Sequence, residues 1–280
     1  MKRFLVVATA AATTFLSLGL ASVATSAVAS GSLPNPGGAR MIKVSSHAGP
    51  QTVSLNWSGY AVTSTRQFNY VHVRFVQPTA TCSGKPLQWS SNWSGLDGFN
   101  NGTVEQDGTF MTCGRTGNTP QYFAWYEMFP AGSVVVFKVK PGDVIDSSVR
   151  FANGMFTLKI GDITSDKWAT KTATCSQCAR ASAEWIVERP AVCSSSSCTH
   201  GLLTALANFG LATMSGAKAT VQGGTARGIA SFTNNYPIDM VQPLKKGGFI
   251  SLDEVSPVDT SNQSFQVLWE RSGTPIPITF

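Results

Sequence analysis

The chain has 280 residues, of which only 13% are charged, with 26 glycines and a formal net charge of +6. Its Lys and Arg are scattered rather than gathered into a basic stripe with interleaved aromatics, so nucleic acid is not an expected partner. Low charge with abundant Gly, Ser, Thr and Asn suits a β protein with wide sheet faces, and no internal repeat is present.

Lys2 and Arg3 give a positive start, an apolar small-residue stretch runs from Phe4 to Leu20, and Ala27-Val28-Ala29 supplies a small-x-small cleavage pattern. Residues 1–29 therefore read as a secretory signal, and the protein is expected outside the cell. The apolar run is thinned by Thr and Ser and falls short of the roughly 20 apolar residues of a membrane span. Loss of the signal removes Lys2 and Arg3 and leaves a net charge of +4. Residues 30–51, rich in Gly, Ser and Pro, read as a flexible leader or short propeptide. Residues 52–280 are then one domain of about 230 residues with no membrane attachment, expected to be monomeric.

Period-two alternation recurs along that domain. Phe68–Gln77 carries Val71, Val73 and Phe75 on one face and Tyr70, His72 and Arg74 on the other, and stops at Pro78. Gln121–Phe129 is an aromatic-rich strand. Ser133–Lys140 and Val144–Phe151 form a hairpin about Pro141-Gly142-Asp143, and Asn153-Gly154 turns the chain into Met155–Ile160. Ala183–Val187 and Phe265–Trp269 are further strands, and Gly201–Phe209 predicts one short helix. Many short strands with Gly, Pro and Asn turns give an all-β fold, a β-sandwich of the jelly-roll or concanavalin-like kind.

Six cysteines follow the signal: Cys82, Cys113, Cys175, Cys178, Cys193 and Cys198. In an oxidising compartment an even set is expected to form disulfides. Short loops would be closed by Cys175–Cys178 and Cys193–Cys198, leaving Cys82–Cys113, out of fifteen possible pairings. A zinc site lacks further ligands, because His72 and His200 are the domain's only histidines. A redox C-x-x-C belongs at a helix start in an α/β pattern, which is absent. No metal and no cofactor are expected.

No G-x-S-x-G occurs, and no His stands beside a convincing nucleophile, so a Ser-His-Asp triad is excluded as a working reading. Carboxylate chemistry remains. Three segments carry it: Ser91–Gln106; Phe123–Phe129, with Phe123, Trp125, Glu127 and Phe129 on one face; and Ala183–Pro190, with Glu184, Ile186 and Glu188 on one face. A Glu held over a sheet beside apolar neighbours is raised in pKa by desolvation, which suits acid–base work.

Taken in order, these segments resemble the glutamic peptidases, or eqolisins. The resemblance rests on N-W-S-G-Y at Asn56–Tyr60, W-S-G-L-D-G at Trp93–Gly98 with Gln106 following, and Y-F-A-W-Y-E-M-F-P at Tyr122–Pro130. P-G-D-V-I at Pro141–Ile145, A-E-W-I-V-E at Ala183–Glu188 and L-A-N-F-G at Leu206–Gly210 complete it. The resemblance implies a sandwich of two bent antiparallel sheets, polypeptide substrates, and a catalytic dyad of Gln106 and Glu184. It also implies that Trp93, Trp125 and Glu127 line the substrate cleft and that Asp97 lies beside the dyad. The chain departs from the family pattern at Met128, at Glu105 and Asp107 around the Gln, and at Glu188-Arg189. In the implied mechanism Glu184 takes a proton from water and passes it to the leaving amine, while the Gln106 amide holds the water and stabilises the oxyanion. The rival readings are a jelly-roll glycoside hydrolase pairing Glu127 with Glu184, and a non-catalytic carbohydrate-binding module.

Overall fold

The computed structural model describes residues 40–44, 52–85, 87–114, 117–193 and 200–279. The expected signal, most of the expected leader and Cys198 lie outside the described residues. In chain order the strands are β1 (Lys43–Val44), β2 (Thr52–Ser54), β3 (Trp57–Thr63), β4 (Phe68–Val76), β5 (Gln88–Leu96), β6 (Val104–Thr112), β7 (Gln121–Phe129) and β8 (Val134–Lys138). There follow β9 (Val144–Ala152), β10 (Met155–Asp162), β11 (Lys167–Ala173), β12 (Ser182–Glu188), β13 (Ala191–Cys193), β14 (His200–Leu203), β15 (Ala205–Leu206) and β16 (Leu211–Val221). The chain closes with β17 (Arg227–Gly228), β18 (Asn234–Pro243), β19 (Phe249–Ser251), β20 (Asp253–Val255), β21 (Phe265–Trp269) and β22 (Ile276–Thr279).

Two large sheets result. The first runs β1-β2-β18-β3-β12-β5-β6-β7-β8, with β15 and β19 added at β5 and β18. The second runs β11-β10-β9-β4-β16-β21-β20, with β17 added at β16. A small third sheet joins β13, β14 and β22. Pairing is antiparallel except for β2 with β18 and β5 with β15. The fold is the expected all-β sandwich, but the expected hairpin about Pro141-Gly142-Asp143 is corrected: β8 pairs with β7 in the first sheet, while β9 pairs with β4 and β10 in the second, so the turn carries the chain from one sheet to the other.

Alternation explains how the sheets stack. In β4, Val71, Val73 and Phe75 are buried while Arg74 and Val76 are exposed, so a single period-two stripe turns inward. Trp185 and Val187 of β12, Val149 of β9, Leu158 of β10 and Met214 of β16 join that stripe in the core between the sheets. The Trp185 indole N–H crosses the gap to donate to the His72 carbonyl at 2.8 Å. The Asn153-Gly154 turn has both residues at positive φ, 52° and 78°, as a tight two-residue hairpin requires.

The expected helix over Gly201–Phe209 is corrected: the segment forms β14 and β15. The spacing of Leu202, Leu203, Ala205 and Leu206 mimics a helical stripe. However, β14 is flanked by β13 on one side and β22 on the other, so its backbone groups are satisfied by ladders on both edges. Tertiary pairing overrides a weak local preference.

The bridges Cys82–Cys113 and Cys175–Cys178 are formed. Cys193 is also disulfide-bonded, and its expected partner Cys198 lies outside the described residues.

Candidate active site

The centre of the first sheet is buried on both faces, and this sets the site. Every residue of β5, β6 and β12 is buried. One face meets the second sheet. The other carries its own apolar cluster, built from Trp57, Trp93, Phe110, Phe123, Trp125 and Ile186, with Met41 and Phe99 packed in. Trp57 and Trp93 meet edge to face at 4.8 Å, and Phe110 stacks on Phe123 at 5.2 Å. Aromatics of this size dominate burial wherever they cluster. Period-two alternation places Gln106, Glu127, Glu184 and Glu188 on this same outer face.

Strand register then brings specific side chains into one row. Glu184 pairs with Gly95, Gly95 with Gln106, and Gln106 with Glu127. Gly95 contributes no side chain. Glu184 and Gln106 therefore stand on strands two spacings apart, about 9.5 Å by backbone, with no side chain from Gly95 between them. This glycine notch is tight underneath: a Cβ at Gly95 would sit 3.0 Å from the Gln106 Cβ and 3.0 Å from the Trp93 ring. In the next row, the Trp93 Cβ lies 2.5 Å from where a Cβ on Gly108 would be, so a glycine is needed for the indole to lie down.

The Gln106 amide Nε2 donates to Glu127 Oε2 at 2.6 Å, which fixes the amide so that Oε1 points elsewhere. Gln106 Oε1, both Glu184 oxygens and the Trp125 indole nitrogen have no hydrogen-bond partner among the described residues. Other buried polar atoms share that condition, including both oxygens of Glu105. The four atoms of Gln106, Glu184 and Trp125 come from β6, β7 and β12 and lie on one face of the sheet. Burial pushes the Glu184 carboxyl well above the usual range; the Ser182 hydroxyl opposes this, and the charges of Asp97 and Glu105 add to it. The Ser182 hydroxyl is a close polar neighbour of Glu184 that does not meet strict hydrogen-bond geometry with it.

Trp93 is anchored by its indole N–H, which donates to Glu188 Oε2 at 2.9 Å. Glu188 thus positions the aromatic wall. Asp97 takes a different place from the other expected site residues. It lies in the turn after β5 at φ 71° and accepts from the backbone N–H of Arg180 at 2.6 Å and of Ala181 at 2.7 Å. Its Oδ1 also accepts from Asn101 Nδ2 at 2.6 Å. Asp97 therefore ties the end of β5 to the start of β12.

The acidic neighbours of Gln106 face away from it, as alternation requires. Asp107 points between the sheets, where Ser148 N donates to its carboxyl at 3.2 Å and the Ser147 hydroxyl donates to its carbonyl at 2.8 Å. Burial raises its pKa well above normal. Glu105 is likewise buried, and desolvation together with Asp97 pushes it up to about 9.

Sequence reasoning missed the cover over this face. Met41 donates its N–H to the Gly98 carbonyl at 3.2 Å, and Asn56 holds the same segment through Ile42 N and the Arg40 carbonyl. Phe99 lies tilted against Tyr236 with ring centroids 5.0 Å apart, and Lys43 Nζ sits over the Phe99 ring at 4.0 Å. The signal available was Asn56 alone, a buried amide at the head of β3 whose partners were unknown. Gln106 and Glu184 are fully buried in this closed arrangement.

A carboxyl and an amide thus share one row of a sandwich sheet, two strands apart, among indoles. Residues 55–256 match the model of the Peptidase A4 family, and the chain belongs to that family. It is an endopeptidase of the glutamic type, with polypeptides as substrates. Among solved structures, scytalido-glutamic peptidase with a transition-state analogue inhibitor is similar in fold at a TM-score of 0.64 and 18% identity, covering 77% of this chain and 98% of that one. SCP-B, an eqolisin solved with the tripeptide Ala-Ile-His, is similar at 0.61 and 18%, with the same coverage. Aspergilloglutamic peptidase from Aspergillus niger is similar at 0.51 and 26%, over 65% of this chain and 99% of that one. No sequence relative is found among curated proteins. No helix among the described residues is long and apolar enough to cross a membrane.

Proposed function

We propose that the chain is a secreted endopeptidase active at acidic pH, with Gln106 and Glu184 as its catalytic dyad. The observation that carries this reading is the Glu184–Gly95–Gln106 row, in which a carboxyl and an amide with unused lone pairs face one another. Residues 1–29 direct export and residues 30–51 form a leader, of which 40–44 pack over the site face. Residues 52–280 are the catalytic domain, acting as a monomer without nucleic acid or membrane.

Chemistry follows from the atoms present. When the cover opens, water enters the notch and solvates Glu184, which brings its pKa down toward the ordinary carboxyl range. A general base works best near its own pKa, so a solvated Glu184 suits pH of about 4 to 5. Glu184 takes the proton of a water molecule that attacks the scissile carbonyl, and then returns it to the leaving nitrogen. The Gln106 amide is neutral at any such pH. It holds the water through Oε1 and turns its N–H from Glu127 toward the oxyanion as charge develops. Trp93 and Trp125 flank the peptide, and Glu127 lies within reach of both amide and substrate.

Casein digestion at pH 3–5 tests the reading. Glu184→Gln is expected to lose about 10²–10⁴ in rate, and Gln106→Ala about 10²–10³, with folded protein in both cases. Full activity in either variant would remove that residue from the dyad. β-Glucan in a parallel tube separates the glycoside-hydrolase reading, which would release reducing ends. An acidic flank set by Glu184 deprotonation is expected to vanish only with changes at Glu184.

A further inference from the structure

The loop between β11 and β12 carries the Cys175–Cys178 bridge, which closes over only Ser176 and Gln177. Both cysteines are half-buried. One carboxyl oxygen of Glu105 and the two sulfurs all lie within 4.8 Å of one another. Glu105 is fully buried; Asp97 and Thr103 are its polar side-chain neighbours, and neither meets strict hydrogen-bond geometry with its oxygens. A cavity of about 610 Å³ opens onto the bridge, walled by Cys175, Cys178, Thr103, Met128, Phe129 and Pro130. The Cys82–Cys113 bridge, by contrast, spans 31 residues, and its Cys113 is fully buried.

We propose that Cys175–Cys178 with Glu105 is a thiol–disulfide exchange site that reacts with dithiols entering through this cavity, Glu105 supplying the proton to the departing sulfur. Three physical arguments converge on it. A bridge over so short a loop constrains the unfolded chain far less than one over 31 residues, so opening it gives up little. Exchange depends on access to sulfur and on how readily the leaving sulfur is stabilised. A buried carboxyl with an oxygen within 4.8 Å of both sulfurs, and with Asp97 and Thr103 beside it, is an acid within reach of a departing thiolate.

The step balances without a further reagent. A thiolate of the dithiol attacks one sulfur, the S–S bond breaks, and its electron pair passes to the other sulfur, which takes the Glu105 proton. The second thiol of the reagent then closes on the first, expels the remaining protein thiolate and leaves as a cyclic disulfide. The proton it sheds, directly or through solvent, restores Glu105, and the remaining protein thiolate takes one from water. One cystine is reduced and one dithiol oxidised.

The charged groups that act on Glu105 are Asp97 and Arg180, the first favouring its neutral form and the second opposing it, and Glu184 lies near enough to feel its charge. With its pKa pushed up to about 9, Glu105 holds its proton at neutral pH. It is then an acid below about pH 9 and ceases to be one above.

The test uses the secreted protein with dithiothreitol, quenching aliquots with an alkylating reagent and mapping the labelled peptides. Cys175 and Cys178 are expected to label at least about tenfold faster than Cys82 and Cys113. Because both bridges meet the same thiolate concentration, their rate ratio cancels the reagent's own titration. That ratio is expected to fall as pH rises through about 9. Glu105→Gln is expected to lower the ratio several-fold at pH 7–8 and to abolish its pH dependence. Equal labelling of the two bridges overturns the proposal, and so does a faster Cys175–Cys178 whose ratio ignores pH. If Glu105→Gln fails to fold, the wild-type ratio against pH decides alone.

Discussion

Two strands of nine residues, one from each large sheet, show how differently a sheet can be built. β4 alternates, with Val71, Val73 and Phe75 inward and His72 and Arg74 outward, where Arg74 Nε and His72 Nε2 share Asp146 Oδ2 at 2.7 and 3.1 Å. β6 does not alternate in burial at all: Val104 through Thr112 are all covered, although the strand carries Glu105, Gln106 and Asp107. The wet face of β4 can keep its ions solvated at little cost. The doubly covered β6 must either satisfy each polar group or hold it in an unfavourable state, and it does both. The amide of the proposed dyad, Gln106, lies on the strand that breaks the local rule.

The largest effect that would sharpen this contrast is expected at Gly95. Gly95→Ala puts a methyl 3.0 Å from Gln106 Cβ and from the Trp93 ring. A displacement of about 1 Å at the reacting groups costs on the order of 10² in rate. Casein turnover should therefore fall about that far while the melting temperature moves only a few degrees; unchanged turnover would mean that the notch is not where substrate reacts.

A second contrast is in pH. Glu105, Glu184, Asp107 and Asp253 are all buried carboxyls with raised pKa, Glu105 to about 9 and Asp253 to about 8. Unfolded, such groups lose their protons near pH 4, so between about pH 4 and 9 the native chain binds more protons than the unfolded one. Stability is then present in full below about pH 4 and is lost as pH rises toward the folded values. Asp146 on the wet face is lowered and works the other way, losing its contribution at the acid extreme. Calorimetry from pH 3 to 9 should show the melting temperature falling with pH, and a rise across that range would contradict the burial of these carboxyls.

Smaller effects separate the two faces further. Trp93→Phe removes the donor to Glu188 and leaves a buried carboxyl oxygen short of one partner, at a cost of about 1–3 kcal/mol in chemical denaturation. Arg74→Ala on the exposed face of β4 breaks a pair at a half-buried carboxyl, and is expected to cost no more than about 1 kcal/mol. If the second change exceeded the first, the division between covered and wet strands would fail.

That division also governs what could be read from the chain alone. β7 and β21 fall on the residues that alternation marked, and β4, β9 and β10 lie within a residue or two of them. The run from Gln88 to Thr112 gave no such pattern, because Ser90, Ser91, Asn92, Ser94, Gln106 and Thr109 are polar residues buried inside a covered sheet. Their periodicity is erased when both faces are dry. Glu184 was one carboxylate among several until ordered motifs singled it out. The meaning of Gly95 lay in a register between three strands, which no local spacing encodes. Asp97 was placed near the dyad by resemblance, and its backbone bonds to Arg180 and Ala181 only became visible with the strands in place.

Those two bonds have a mechanical consequence. β12 is held between β3 and β5 by ladders that would serve almost as well after a slip of two residues, since side chains would return to the same faces. Such a slip would set Ile186, not Glu184, opposite Gly95. Asp97 works as a detent on that slide: by gripping the backbone just ahead of Ser182, it fixes the phase of one strand against the next, and with it which side chain faces the amide.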